Sequence, residues 1–448
     1  MRTEHESHQI LDRALNAANA EADAVLISTD QNFSRFANSN LHQNMSEISA
    51  GLTLRVIVDG CMGVASTSSL DDDEIAKTAE LAREAAKHAG RLQNFTGLYR
   101  ELSDAPKLDT FDERTARVSP AEKASALRTM FDRGRGANVQ YAGNYTTSAS
   151  SVACGNTHGI RRYAQITFAD ATVIALHDKG SGYATRCSRR VDEVDILALG
   201  EEATFKATLH IDNIEEIEPG PYDAILEPPA LAEVFEWMTM IAFTGQSYED
   251  GSSFLVDRLG QRVGGENFTV ADDATDASFL PFPFDLEGFP KTRIPIVERG
   301  IARTPMVDKA YADRLRLAPN GGAWHLGSPD HGTAFHIDIA GGDATRDDMI
   351  RSTKRGIWVT RFNYVNGLLE PKTALMTGTT RDGTFLIRDG EVVARLPNLR
   401  WTQSMIEAIS NIEALSSERR RVATWYNMFG GTMAPTMKVR NWNFGSSS

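Results

Sequence analysis

The side chains in this sequence best suited to chemistry are three histidines and a pair of glutamates. His325, His331 and His336 fall within the stretch WHLGSPDHGTAFH. Convergent imidazoles bind zinc, and zinc lowers the pKa of a bound water enough to make it a nucleophile at neutral pH. Their spacings of six and five suit a loop followed by a strand, and nothing in the sequence forces the rings to converge. The alternative is a polar loop ahead of a strand histidine satisfied by hydrogen bonds. Glu233 and Glu236 stand one helical turn apart. Two carboxylates about 5–9 Å apart would serve glycoside hydrolysis. The segment around them is apolar, so the pair reads as the solvated stripe of an otherwise buried helix. Asp272, Asp273, Asp276, Asp285 and Glu287 read as loop or surface charges.

Other sources of chemistry fail on the sequence. Gly-Lys never occurs, which removes a phosphate-cradling Walker loop, and GxSxG and HExxH are absent. His5-Glu6-Ser7-His8 has helical spacing but lies in a terminal segment with nothing to close a site. Gly180-Ser181-Gly182 begins a dinucleotide fingerprint that Thr185 breaks, in a strand-like context. Cys61, Cys154 and Cys187 are far apart and odd in number, so neither a disulfide framework nor a thiolate zinc knuckle is expected.

The elements that must position such residues follow from composition and periodicity. The chain has 448 residues and a net charge of −13, is 41% apolar and 24% charged, and includes 35 Gly and 16 Pro. This is globular composition, long enough for two to four domains. The acidic balance argues against nucleic acid or an anionic membrane as partner. The first residues lack the apolar core of a secretory signal, and the apolar stretch 224–243 is interrupted by Glu227, Glu233 and Glu236. The expectation is a buried helix and a reducing, cytoplasmic location. Helices are expected at 8–20, 71–89, from Pro120 to about 134, 193–209 and 230–243, with Ser119 and Pro120 giving a cap and first-turn signature. Strands are expected at 23–29, 52–60 and, as long antiparallel runs, across 138–188. Residues 246–293 carry little regular pattern. Beyond them strands (295–299, 332–340, 356–362, 373–378, 384–388, 391–395) alternate with helices (306–316, 344–355, 402–414).

Several motifs occur together and in order. The segment Ser34-Arg35-Phe36-Ala37-Asn38-Ser39-Asn40-Leu41-His42-Gln43-Asn44 is followed by LRVIVDGCMGVASTSSLD, then by GNTHG (155–159) and GSG (180–182). EPGPYDAILEPPALAEVF, SSFLVDRLGQRV (252–263), PFDLEGFPKTRIPIVERGI (283–301), RGIWVTRF, TGTTRDGTFLIRDGEVV and NLRWTQS complete the set. This series resembles the TldD/PmbA (TldE) metallopeptidase family over residues 22–440. The resemblance implies an α+β fold: mixed helix and antiparallel-sheet N-terminal and middle units, about 1–98 and 109–215, followed by a larger α/β C-terminal domain, 220–445.

TldD-type chains carry HExxxH on the first helix of the C-terminal domain and a cysteine further on. The matching stretch here, Pro228 to Trp237, contains no histidine, and the last cysteine is Cys187. The chain therefore resembles the PmbA/TldE type, for which the resemblance implies no metal and no catalytic residue in this chain. It implies zinc in an HExxxH partner chain forming a heterodimer, and a shared chamber in which small unfolded or modified peptides are bound as an added strand and cut. Self-association as a homodimer, an independent zinc peptidase built on the histidine cluster, and a non-catalytic peptide-binding scaffold remain as alternatives. Candidate peptide-contact or chamber-lining residues are Arg35, Asn38, His42, Gln43, Asn44 and His336. The first five could equally fix the local turn through side-chain-to-backbone bonds. Gly60, Gly63, Gly300 and Gly383 are expected to serve turns.

Overall fold

The structure, a computed structural model, describes residues 1–324, 332–423 and 429–447. The first half contains α1 (Glu4–Ala18), β1 (Glu21–Ala37), β2 (Asn40–Val58), β3 (Cys61–Thr67), α2 (Asp72–His88), α3 (Glu113–Arg117), α4 (Pro120–Gly136), β4 (Gln140–Asn156), β5 (Arg161–His177), β6 (Gly180–Ser188) and α5 (Ile196–Thr208). Its six strands form one antiparallel sheet in the order β3-β2-β1-β4-β5-β6. The N-terminal and middle segments therefore share a sheet, joined where β1 pairs with β4 from Asp23↔Asn156 to Phe36↔Gly143.

The helices begin where the sequence places caps. Thr3 and Ser119 each form a capping box, with Glu6 and Glu122, and Asp71 caps α2 above three acidic residues of its first turn. Such contacts satisfy amides that a helix start leaves free. One face of the sheet buries Ala24, Leu26, Leu54 and Ala153 against α1 and α2. Further along, the same face buries Phe36, Tyr145, Ala171 and Val173 against α4 and α5. Gly60 serves the expected turn, with Asp59 at φ 52° and Gly60 at φ 77°. Gly63 does not. It lies within β3, where an added Cβ would stand 2.1 Å from the Ala82 carbonyl oxygen, so its role is close approach of α2 to the strand.

The second half contains β7 (Gly220–Leu226), α6 (Pro228–Ile241), α7 (Gly245–Glu249), β8 (Val270–Asp272), β9 (Ile294–Glu298), β10 (Ile301–Ala302), α8 (Lys309–Leu315), β11 (His336–Ile339), α9 (Arg346–Arg351), β12 (Arg355–Glu370), β13 (Leu375–Arg388), β14 (Glu391–Arg395), β15 (Leu399–Ser404), α10 (Met405–Ser410), β16 (Ile412–Ala423) and β17 (Gly431–Ser447). The larger mixed sheet runs β10-β9-β8-β11-β17-β15-β13-β12-β7, and β7 also pairs back to β17, closing a ring of five strands. Helix α6 packs against β12 and β17. Leu231, Val234, Phe235 and Met238 on α6 belong to the same apolar core as Phe362, Trp401 and Trp442. The helix expected at 402–414 is present only as the six residues of α10, with the end of β15 before it and the start of β16 after it. Pairing with β13 and β17 decides the conformation of a segment whose apolar spacing suits either period. No helix among the described residues is long and apolar enough to cross a membrane.

Candidate functional site

The two halves meet on the face of the six-stranded sheet opposite its helices, and that face changes character along its length. At one end Val25, Val152, Cys154, Ala164 and Ile166 pack on Phe282, Phe284, Trp324 and Phe335 of the second half. At the other end the same alternate positions become mixed, with Gln31 and Arg35 on β1, Asn144 and Thr146 on β4, Asp170 and Thr172 on β5 and Thr185 on β6 among Phe33, Phe168, Ile174 and Tyr183. These residues line a cavity of about 740 Å³. Alternation along a strand makes this one continuous face. The register lays Arg35, Asn144, Thr172 and Thr185 in one cross-strand row, with Phe33, Thr146 and Asp170 in the next.

The opposite wall is helix α6, which contributes Pro229, Ala232, Glu233 and Glu236, together with Arg361 and Phe362 of β12. This corrects the solvated stripe expected of the two glutamates. Glu236 is only 6% exposed, and both line the cavity between the halves. A signal for this was present in the sequence: a helix apolar on nearly all sides is buried, so its few carboxylates cannot face open solvent.

The charges differ in how they are held. Arg361 donates from Nε (2.8 Å) and Nη2 to Asp382 Oδ2, and its guanidinium lies 4.5 Å from the Tyr183 ring centre. Asp170 accepts one bond from Asn144 Nδ2 at 3.0 Å, and burial pushes its carboxyl up to about 6 despite that bond. Burial also raises Glu233, and the Arg361 charge offsets this only in part. Among the described residues nothing hydrogen-bonds the Glu233 carboxylate. Arg35 is exposed, and among the described residues it forms no ion pair.

Of the signature segment, Arg35, Phe36 and Ala37 line this cavity, and Arg35 is the one among the candidate residues Arg35, Asn38, His42, Gln43 and Asn44 that does so. Asn38 and Ser39 form the turn between β1 and β2 at φ 50° and 53°, and Asn40 Nδ2 donates to the Asn38 carbonyl at 2.8 Å. His42 Nε2 donates to the Ala37 carbonyl (3.0 Å), and Asn44 Oδ1 accepts from Ser34 Oγ (2.8 Å). Gln43 stands opposite Arg35 in the register, on the exposed part of β2.

His336 lies elsewhere. It is fully buried against Trp324 and Phe279, with ring centres 5.4 and 6.1 Å away. Burial lowers its pKa to about 3, against the pull of Asp272. His325 and His331 lie outside the described residues, so the proposed cluster is represented by this one ring. Among the described residues no three His, Cys, Asp or Glu side chains group to hold a metal ion. Asp272 and Glu287, expected as loop charges, are instead buried in ion pairs with Lys291 and with Arg55.

A second set of buried charges joins the halves. Lys206 of α5 contacts Glu202 and Glu227 at 2.7 Å each, Arg420 of β16 contacts Glu202 at 2.9 Å, and Trp358 Nε1 donates to Glu227 at 3.0 Å. At the packed end of the sheet, Arg55 pairs with Asp23 beside it and reaches Glu287 across the junction at 2.6 Å.

Comparison with known proteins places these features in a lineage. A family model described as the PmbA/TldA metallopeptidase C-terminal domain matches residues 219–446, and one for domain 1 of the same metallopeptidases matches residues 22–86. A metalloprotease of Methanothermobacter thermautotrophicus is 22% identical over 424 residues, covering 90% of each chain. A metalloprotease TldD homolog of Buchnera aphidicola is 23% identical over 216 residues, covering 45% of this chain and 44% of its own. The crystal structure of TldE from Thermococcus kodakarensis superposes with a TM-score of 0.88 at 18% identity, covering 97% of this chain and all of that one.

Proposed function

This chain belongs to the PmbA/TldD metallopeptidase family, and from that premise we propose that it is the metal-free subunit of a TldD/TldE-type peptidase complex. In this reading it forms one wall of a peptide-binding chamber, and a partner bearing HExxxH on its own equivalent of α6 carries out zinc hydrolysis of small unfolded or modified peptides. One observation carries the proposal. The helix matching the zinc helix of TldD-type chains borders the cavity between the two halves, yet it presents Glu233 and Glu236 and neither imidazole nor thiolate. Catalytic zinc takes three protein ligands with an open fourth position. The donors at this wall do not fit a resident zinc.

The chain's own contribution is then binding and enclosure. The hydroxyls and amides of the sheet face offer donors and acceptors to a peptide backbone, which tolerates varied sequence. The packed end of the junction keeps bulk water from the cavity on that side.

The test is elemental analysis of the purified chain, followed by mixing with an HExxxH homologue from the same source. The expected result is negligible zinc in the lone chain, co-elution with the homologue on size exclusion, and peptide cleavage by the zinc-loaded pair alone. About one zinc per lone chain, or cleavage by the chain unaided, would overturn the proposal.

A further inference from the structure

We propose that the outer edge of β2, residues 40–51, is where the partner subunit docks, by adding a strand of its own to the six-stranded sheet. The proposal rests on the two-subunit reading above and adds to it the surface that joins the subunits.

The first observation is an edge left open. β2 pairs with β1 along its length, from Asn40 to Ile57. On its other side β3 pairs only with Leu52–Val58. Residues 40–51 thus have no strand on that side among the described residues, and all of them but Ala50 are exposed. The side-chain hydrogen bonds of His42, Asn44 and Ser46 run back to β1, to the Ala37 carbonyl, Ser34 and Asn32. Alternate residues of a strand turn their N–H and C=O to the same side, so about half of this segment presents unpaired backbone groups outward.

The second observation is the chemistry of that edge. Proteins keep free edges short, guard them with lysine or proline, or cover them. The opposite edge of the same sheet, β6, packs against β13 and β16 of the second half, and β10, at the end of the larger sheet, has two residues. Residues 40–51 contain neither lysine nor proline, and Glu47 is their one carboxylate. Their apolar side chains stand in solvent, Leu41 at 40%, Met45 at 39% and Ile48 at 80% exposure. An edge of this make is suited to being covered. The domain 1 match, residues 22–86, contains the whole β1–β2 hairpin, so a partner of the same family brings an edge of the same kind. Two such edges can pair antiparallel about a twofold axis, the commonest symmetry of protein pairs. Little like charge on this side opposes their approach. Gln43, Met45 and Glu47 stand opposite Arg35, Phe33 and Gln31, which line the cavity. Pairing at β2 therefore runs the cavity wall of one subunit into the sheet of the other, as a shared chamber requires.

The experiment is hydrogen–deuterium exchange read by mass spectrometry, on the chain alone and on its complex with the HExxxH homologue from the same source. In the chain alone about half of the amides of residues 40–51 should exchange freely, and in the complex these should slow by about a hundredfold or more, as amides entering a sheet ladder do. Packing of side chains alone would not move this readout. Protection already present in the lone chain and lost on dilution would assign the edge to a second copy and overturn its assignment to the partner. A second arm uses Met45→Lys/Ile48→Lys, which sets one lysine on each face of the edge. The lone variant should keep the wild-type melting temperature, because both positions are exposed, and should bind the homologue at least about tenfold more weakly. Unchanged affinity in the variant would overturn the proposal. A wild-type complex that forms without protecting residues 40–51 would overturn the docking surface and leave the two-subunit reading standing. Failure of the wild-type chain to form any complex would overturn both.

Discussion

Glu227 and Glu233 stand at one helix, fewer than two turns apart, in opposite surroundings. Glu227 is the residue preceding α6, its carboxylate within 2.7 Å of Lys206 Nζ and 3.0 Å of Trp358 Nε1. Glu233 faces the cavity with Arg361 as its nearest compensating charge, and that cation is already committed to Asp382. The same contrast separates Glu202 from Asp170. Burial alone would raise Glu202, but Lys206 and Arg420 reverse this and hold it at about 2. Burial raises Asp170 to about 6 because a single amide is all that opposes it. Both regions are enclosed and both carry acids. Compensation tells them apart: the paired set fastens the two halves, and the unpaired set borders a space left for something else.

The fastening set should show the largest effects. Arg55→Met leaves Asp23 and Glu287 buried without their cation, and we expect a loss of about 3–5 kcal/mol in denaturant unfolding. A loss under about 1 kcal/mol would mean the junction does not depend on the pair. Glu202→Gln should cost about 3 kcal/mol at neutral pH. Its folded-state pKa is depressed, so that stability is present above about 4.5 and disappears as pH falls toward 2. Wild-type and variant stabilities should therefore converge in acid. Asp170→Asn should behave in the opposite sense. The folded-state pKa of Asp170 is raised, so its stabilising contribution is complete below about 3.8 and is lost as pH rises through 6. The variant should match the wild type near pH 4 and exceed it by about 2 kcal/mol at pH 7. The smallest effect belongs to Glu233→Gln, which breaks no hydrogen bond and should leave stability within about 0.5 kcal/mol. A drop of 2 kcal/mol or more would place Glu233 with the fastening charges and erase the contrast.

The capped helices and the long antiparallel strands of the first half were legible in the sequence because their signals are local. Ser119-Pro120 marks the start of α4, the Asp71–Asp73 run marks that of α2, and the Thr- and Val-rich run from 140 to 188 reads as strand. The second half was read less well. Residues 402–414 have apolar spacing that fits one helix, of which α10 keeps Met405–Ser410, and pairing to distant strands draws the two ends into β15 and β16. At the site, the signature from Arg35 to Asn44 was visible as a motif, but its division into cavity-lining residues, a turn and exposed positions depends on the β1–β2 register. Asp170, Thr172 and Arg361 were not singled out. They lie on different strands with no sequence spacing between them that chemistry requires, and they meet only when the halves join.

One strand sets the order in which this molecule can be built. β17 pairs with β7, β11, β15 and β16, so the five-stranded ring has no partner for β7 on that side until residues 431–447 exist. Sheet pairing in the first half is complete once residue 188 has been made. During synthesis the first half can therefore fold behind the ribosome while the second waits, exposing strand edges and the apolar face of α6 for the time it takes to translate everything up to the final described strand. Long-range pairing of this kind is slow and prone to aggregation. The interval between those two moments is when the nascent chain most needs a chaperone, and synonymous changes that slow translation late in the message should lower soluble yield more than the same changes placed early.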